Sequence, residues 1–143
     1  EINQAYPDVR AVISVNNVLV TQASAAIPVV PLYFAILYKV MKKAGNHENC
    51  IQQIARLYTQ KLYTPEGFQT DENGFIRMDD YELMPEIQEE VKKCWKAVTT
   101  DTVKEYCDID GYWEDFYHMF GFRYEDIDYT QDIEAEVEIN GVE

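Results

Sequence analysis

The sequence contains one long stretch without any charged side chain, from Ala11 to Tyr38. The whole chain has a formal net charge of −14, so such a stretch indicates either a buried core or a membrane span. Residues 11–15 are apolar and rich in β-branched side chains, which predicts a buried strand of a parallel sheet. Residues 32–43 are apolar and end in lysines before Gly45, which predicts a buried helix.

The segment between these two elements, residues 16–31, is polar and rich in small side chains. Open α/β sheets bind ligands at the carboxyl ends of their strands, so this loop is the first candidate for a site. The uncharged stretch is also long enough to span a bilayer. Amides and prolines interrupt it, namely Asn16, Asn17, Gln22, Pro28 and Pro31. We therefore expect a sheet core and no membrane insertion, since a spanning helix is predominantly apolar.

The composition indicates a folded protein, because 47% of the residues are hydrophobic and 13% are aromatic. A length of 143 residues fits one domain with a sizeable core. The acidic side chains concentrate in residues 101–143, where only Lys104 and Arg123 are basic. This charge excludes a generic nucleic-acid binder and disfavours an anionic membrane surface, since both partners are recognised by basic patches.

The cysteines, Cys50, Cys94 and Cys107, are odd in number and have no C-x-x-C spacing. This usage predicts a reducing compartment, and we expect the protein to be cytoplasmic. The two histidines, His47 and His118, show no paired ligand spacing, so we expect no metal site.

A second helix is predicted to begin at Asn46 or Asn49, because asparagine is a favoured N-cap residue. Its apolar residues fall on one helical face, which predicts the buried side. These residues are Ile51, Ile54, Ala55, Tyr58 and Leu62. Residues 68–78 predict a small hairpin with its turn at 72–74, because Asn-Gly is the strongest short hairpin signal.

The last part of the chain predicts four further features. Pro85 suits the first position of a helix. The apolar residues that follow it at helical spacing form a stripe, which predicts the buried face of this helix. The stripe consists of Ile87, Val91, Trp95 and Val98. Residues 102–105 resemble a capping box, and Asp110-Gly111 predicts a break before an aromatic face at 112–124. The acidic residues 126–143 contain a weak alternation that predicts at most an edge strand.

Several strings in the chain are similar to one family, the trans-2-enoyl-CoA reductases and NADH-dependent enoyl-acyl-carrier-protein reductases, relatives of the short-chain dehydrogenases. The strings lie at 14–16, 19–33, 39–42, 46–51, 77–83 and 121–122. The resemblance implies an α/β fold, the C-terminal portion of a Rossmann-like domain. We expect it to be mostly helical, with a buried parallel strand near 9–16 and a small hairpin near 68–78. The resemblance further implies that residues 1–83 complete this domain and that residues 84–143 form a helical extension with an acidic tail.

The resemblance also implies a function for the loop after the first strand. Leu19, Val20 and Thr21 would bind the nicotinamide end of NADH, because a strand end with Thr offers a backbone N–H, a carbonyl and a hydroxyl to a carboxamide. The family usually has Lys at the position of Asn17. The candidates for the wall of the substrate pocket are Gln22, Ala23, Ser24, Ile27 and Pro28. Without the resemblance, the same residues form an ordinary polar connection between a strand and a helix.

Two spacings imitate catalytic motifs. Tyr38 and Lys42, with Ser24 upstream, match the short-chain dehydrogenase triad, in which Tyr donates a proton. Tyr33 and Lys42 match the Tyr-x8-Lys spacing of the resembled family, but a helix places them on opposite faces. No G-x-G-x-x-G precedes them, and the family's own Tyr and Lys come before the aligned strand. We therefore expect a core tyrosine and helix-ending lysines, with no catalytic residue in this chain.

The function implied by the resemblance is reduction of the carbon–carbon double bond of an enoyl thioester by NADH, in fatty-acid metabolism. The partners would be an N-terminal portion of the same protein and a thioester of either coenzyme A or acyl-carrier protein. The alternative is a non-catalytic, acidic helical module that binds a protein through its aromatic face at 112–124.

Overall fold

The computed structural model describes residues 2–6 and 8–132. Helices dominate this part of the chain, and the two strands are short. The helices are α1 (Ile2–Ala5), α2 (Gln22–Ala26), α3 (Val30–Ala44), α4 (Cys50–Arg56), α5 (Pro85–Ala97), α6 (Val103–Tyr106) and α7 (Ile109–His118). A π-helical segment, Leu57–Leu62, continues α4. The strands are β1 (Ile13–Val15) and β2 (Phe75–Arg77). The alternation expected at 133–139 lies outside the described residues.

The two strands form a parallel pair. Ile13 lies opposite Phe75, Ser14 opposite Ile76 and Val15 opposite Arg77. The Met78 N–H donates to the Val15 carbonyl at 2.8 Å, which continues the pairing past β2. Parallel strands need a crossover connection, and here the helices α2, α3 and α4 supply it. The carboxyl ends of both strands consequently face the same edge of the sheet.

The prediction of a hairpin at 68–78 is wrong, although its turn is present. The Asp71 carboxylate accepts hydrogen bonds of 2.9 Å from the N–H groups of Asn73 and Phe75, and Gly74 has a φ of 81°. The residues before the turn form no strand, and β2 pairs instead with β1. This pairing buries Ile76 to 1% exposure, which a local hairpin would leave on the surface.

The strand predicted near 9–16 is confirmed as β1, but its description as buried is wrong, since none of the three residues of β1 is buried. Ile13 is 60% exposed, and Ser14 and Val15 are half-buried. No element among the described residues covers Ile13.

The buried helix predicted at 32–43 is confirmed, and α3 is the centre of the core. It packs against α5 and α7, and Ile36, Leu37 and Met41 are fully buried. Helix α5 begins at Pro85 as predicted and buries Ile87 and Val91, whereas Trp95 is 38% exposed. Within the described residues, none of the helices combines the length and apolar character needed to cross a bilayer.

The N-terminus of α4 follows the prediction, but its buried face does not. Asn49 and Gln52 form a reciprocal capping box at the start of this helix. Ile51 is 69% exposed, and the residues buried on α4 are Gln53 and Arg56. The periodicity fails here because Arg56 turns inward to pair with Glu48, just before the helix, and with Asp80, 24 positions away.

The predictions for the segment 102–111 are wrong in detail. Thr102 precedes α6, but its hydroxyl pairs with Thr99 and makes no cap to the helix. Gly111 lies inside α7 and does not break the chain, because the Asp108 side chain caps that helix through a 3.0 Å bond from the Gly111 N–H. The aromatic side chains of α7 do share a face, with Phe116 in edge-to-face contact with Trp113.

Candidate functional site at the carboxyl edge of the sheet

Two loops leave the same edge of the sheet and meet there. Residues 16–21, here called the β1 loop, follow the first strand, and residues 78–82, the β2 turn, follow the second. The two segments are far apart in sequence, and the parallel pairing of the strands brings them together.

The β1 loop is held by two buried residues. Asn17 is 4% exposed, and its Oδ1 accepts a 2.8 Å hydrogen bond from the Val18 N–H. Its Nδ2 lies 3.9 Å from Met41 Sδ on α3. Val20 is 8% exposed and belongs to the core around α3. The loop is therefore fixed on the side that faces the core, while Thr21 at its end faces solvent.

Thr21 is also the N-cap of α2. Its hydroxyl oxygen accepts a 3.0 Å bond from the Ser24 N–H, and its own N–H donates to Ser24 Oγ at 2.8 Å. The Leu19 carbonyl accepts a longer bond of 3.5 Å, also from Ser24 Oγ. The loop thus presents backbone and hydroxyl groups at one small area of the sheet edge.

The structure brings together the first six of the predicted site residues and separates the last two. Leu19 to Ser24 surround the N-terminus of α2, with Gln22 and Ala23 exposed beside Thr21. Ile27 and Pro28 follow the C-terminal end of α2 and are exposed.

A residue that the sequence did not single out, Glu82, joins the two loops. Its Oε2 accepts a 3.2 Å bond from the Val18 N–H, and its Oε1 accepts a 2.9 Å bond from the Tyr33 hydroxyl on α3. Burial raises the pKa of the Glu82 carboxyl, and the bonds from Tyr33 and Val18 oppose that rise. One glutamate in a strongly acidic sequence gives no local signal of such a position.

The β2 turn is anchored by a buried arginine. Arg56 has a side chain that is 5% exposed, and it donates to Glu48 and Asp80 at 2.8 Å each. It also donates to the Met78 carbonyl at 2.7 Å, and its guanidinium lies 4.1 Å from the centre of the Tyr81 ring. This planar group satisfies several acceptors at once, which suits arginine better than lysine.

The partner acid, Asp80, has a second cation. Lys61 Nζ lies 2.7 Å from Asp80 Oδ2. Burial alone would raise the pKa of the Asp80 carboxyl, but the bonds from Lys61 and Arg56 outweigh burial and hold the pKa below its ordinary value. The β2 turn that carries Glu82 is therefore fixed by charge pairs from α4 and the π-helical segment.

The residues that imitate catalytic motifs each have a structural partner. Tyr38 is 2% exposed, with its ring edge against His47 at 4.4 Å between centroids. Burial raises the pKa of Tyr38, as does the charge of Asp115. Lys42 pairs with Asp108 at 2.6 Å. These contacts favour a core role over proton donation.

We expect Tyr38→Phe to leave most of the turnover intact in the longer enzyme that the sequence resemblance implies. The change keeps the buried ring and removes only the hydroxyl, so the stability loss should be about 1 kcal/mol. Steady-state kinetics and thermal unfolding of the variant check this. A normally folded variant with turnover reduced by orders of magnitude would make Tyr38 catalytic.

An apolar groove of about 730 Å³ lies between the start of α3 and the length of α5 from Pro85 to Trp95. Val29 and Tyr33 form one side, and Val91 and Trp95 form the other. Val29 has a φ of 75°, which is strained for a β-branched residue. The groove explains why Trp95, predicted as buried, is partly exposed.

A parallel strand pair connected through helices, with a hydrogen-bonding loop after its first strand, is typical of α/β proteins. A search with family models matched residues 1–63 to a model described as the trans-2-enoyl-CoA reductase catalytic region. Residues 70–133 matched a model described as the enoyl reductase FAD binding domain.

Individual relatives agree with these family models. The enoyl-[acyl-carrier-protein] reductase [NADH] of Flavobacterium psychrophilum is 48% identical over 93% of this chain, and the trans-2-enoyl-CoA reductase [NADH] of Ruminiclostridium cellulolyticum is 47% identical over the same share. Over 93% of its length, the chain is similar to this enoyl reductase family. It covers 34% and 33% of the two relatives, or about a third of their length.

Solved structures give the same result for the fold. The trans-2-enoyl-CoA reductase of Clostridium acetobutulicum in complex with NADH matches 93% of this chain with a TM-score of 0.82 and 46% identity. The enzyme of Treponema denticola in complex with NAD matches 92% with a TM-score of 0.84. The chain covers 34% and 33% of these structures, respectively, so the Rossmann-like assignment applies to a partial domain.

Proposed function

We propose that this chain is the C-terminal third of an NADH-dependent reductase that reduces the trans-2 double bond of enoyl thioesters. The observation that carries the proposal is the 48% identity, over 93% of the chain, to a relative named for this reaction. The longer protein is called the complete reductase hereafter. Its substrate is a thioester of coenzyme A or of acyl-carrier protein, since relatives carry both names.

We propose that Leu19, Val20 and Thr21 contact the nicotinamide end of NADH. The proposal is supported by the proximity of the Leu19 carbonyl and the Thr21 hydroxyl, which both bond to Ser24 Oγ in the loop after β1. The buried Val20 side chain fixes the backbone and contributes no polar atom. When bound, NADH supplies the hydride for the β-carbon of the substrate.

NADH is proposed as the cofactor although one matching family model carries FAD in its description. The relatives are named for NADH, and the neighbouring solved structures are complexes with NADH or NAD. These names support a nicotinamide donor.

The substrate wall is proposed to include Gln22, Ala23, Ser24, Ile27 and Pro28. All except Ser24 are exposed, and the last two precede the strained Val29. We further propose that the chain has two parts: residues 1–83 complete the Rossmann-like domain, and residues 84–143 form a helical extension. We also propose a reducing, cytoplasmic compartment. The alternative of a non-catalytic interaction module gains no support from the comparisons.

The proton donor and its neighbouring lysine are proposed to lie in the N-terminal portion, where the tyrosine would polarise the thioester carbonyl. The test is oxidation of NADH that depends on crotonyl-CoA. We expect activity from the complete reductase and none from the 143-residue chain alone. A complete reductase that leaves NADH unoxidised with enoyl thioesters would overturn the proposal.

We expect Thr21→Val to weaken NADH binding by the complete reductase about fivefold. The change removes a hydroxyl beside the proposed carboxamide, and a lost hydrogen bond of this kind costs about 1 kcal/mol. Because Thr21 also caps α2, the variant should lose about 1 kcal/mol of stability as well. Thr21→Ser, which keeps the hydroxyl, is the matched control. Equal dissociation constants for NADH in all three proteins would show that Thr21 faces elsewhere.

A further inference from the structure

Glu82 connects three parts of the fold with one carboxylate. Oε2 accepts from the Val18 N–H in the β1 loop, and Oε1 accepts from the Tyr33 hydroxyl on α3. The Val18 N–H is shared with Asn17 Oδ1, so two acceptors define its direction. The backbone of Glu82 itself belongs to the β2 turn.

The position of Glu82 is fixed independently of the β1 loop. Its carbonyl accepts a 2.8 Å bond from Gln88 Nε2 on α5. The turn before it is closed by the Leu83 N–H donating to the Asp79 carbonyl at 3.0 Å, and Arg56 binds Asp80 in the same turn. A fixed acceptor can hold a loop in one shape, whereas an acceptor on a mobile side chain would follow the loop.

We propose that Glu82 is a positioning residue that holds the β1 loop in the shape that binds the nicotinamide end of NADH, an inference that rests on the proposed function. Glu82 acts through the Val18 N–H, three residues before Thr21, and it makes no contact with the cofactor. The carboxylate matters because it accepts on both oxygens at once. A glutamine has one acceptor oxygen for these two donors, and an apolar side chain of similar size has none.

The test compares Glu82→Met with Glu82→Gln in the complete reductase. Glu114→Gln, an exposed acid on α7, is the control. Amide hydrogen exchange of residues 17–20 is measured without NADH, and the dissociation constant of NADH is measured by fluorescence. In Glu82→Met we expect faster exchange at these amides and NADH binding weaker by about fivefold. The Michaelis constant for NADH should rise more than the turnover number falls.

Glu82→Gln should lie between the wild type and Glu82→Met in both measurements. If Glu82→Met does not fold, the proposal is tested with Glu82→Gln alone. Faster amide exchange and weaker NADH binding in that variant would support it. Unchanged exchange, or faster exchange with unchanged NADH binding, would overturn it in either variant. Measurements on the wild type distinguish failure of the proposed function from failure of the Glu82 proposal. If the wild type binds no NADH, the proposed function fails. Hydrogen exchange of the unliganded protein still tests the contact between Glu82 and the loop.

Discussion

Arg56→Met should lower the free energy of unfolding by about 3 kcal/mol, because removing one partner of a buried charge network strands the others. Methionine fills a similar volume but leaves Glu48 and the Met78 carbonyl without the guanidinium that they bind. Urea unfolding of the wild type and the variant measures the loss.

The matched control for this prediction is Arg77→Met. Arg77 also pairs with two acids, Asp71 and Asp79, but its side chain is 40% exposed. The guanidinium of Arg77 is partly in solvent, so the loss should be smaller than for Arg56→Met, although the buried Asp79 would lose its cation. Equal losses for the two variants would contradict the special role of Arg56 in fixing the β2 turn.

Ile36→Ala should lower the free energy of unfolding by about 2–5 kcal/mol, the usual range for truncating a fully buried isoleucine. Ile36 is 0% exposed at the centre of α3, where the surrounding helices cannot close the cavity. Ile51→Ala on α4 is the comparison, since Ile51 is 69% exposed and should change stability by less than about 0.5 kcal/mol. Thermal and urea unfolding measure both. A large loss of stability in Ile51→Ala would indicate that Ile51 is buried, as the helical periodicity predicts.

These two isoleucines show how far the sequence predicts the fold. Helix α3 could be predicted because an uncharged stretch in an acidic chain and a glycine after its lysines are local signals. The buried face of α4 could not, since ion pairs with Asp80, 24 positions away, turn Arg56 inward. The hairpin failed for a similar reason: its Asn-Gly turn is local, but the partner of β2 lies at residues 13–15.

The candidate site, like the fold, could be predicted only in part from the sequence. The β1 loop could be predicted from a strand followed by polar residues, because ligands bind at strand ends. Glu82 could not, because its two partners, Val18 and Tyr33, come from other elements. Helical geometry alone was enough to reject Tyr33 and Lys42 as a catalytic pair, because it places them on opposite faces of α3. Their hydrogen-bond partners, Glu82 and Asp108, lie on different elements.

The most direct test of the account is a hydrogen-exchange footprint of NADH on the complete reductase. If the β1 loop binds the nicotinamide end, saturating NADH should slow exchange at residues 18–21. It should leave α4 residues 51–55 unchanged, since this segment lies outside the proposed site. Tight NADH binding without protection at 18–21 would contradict the account.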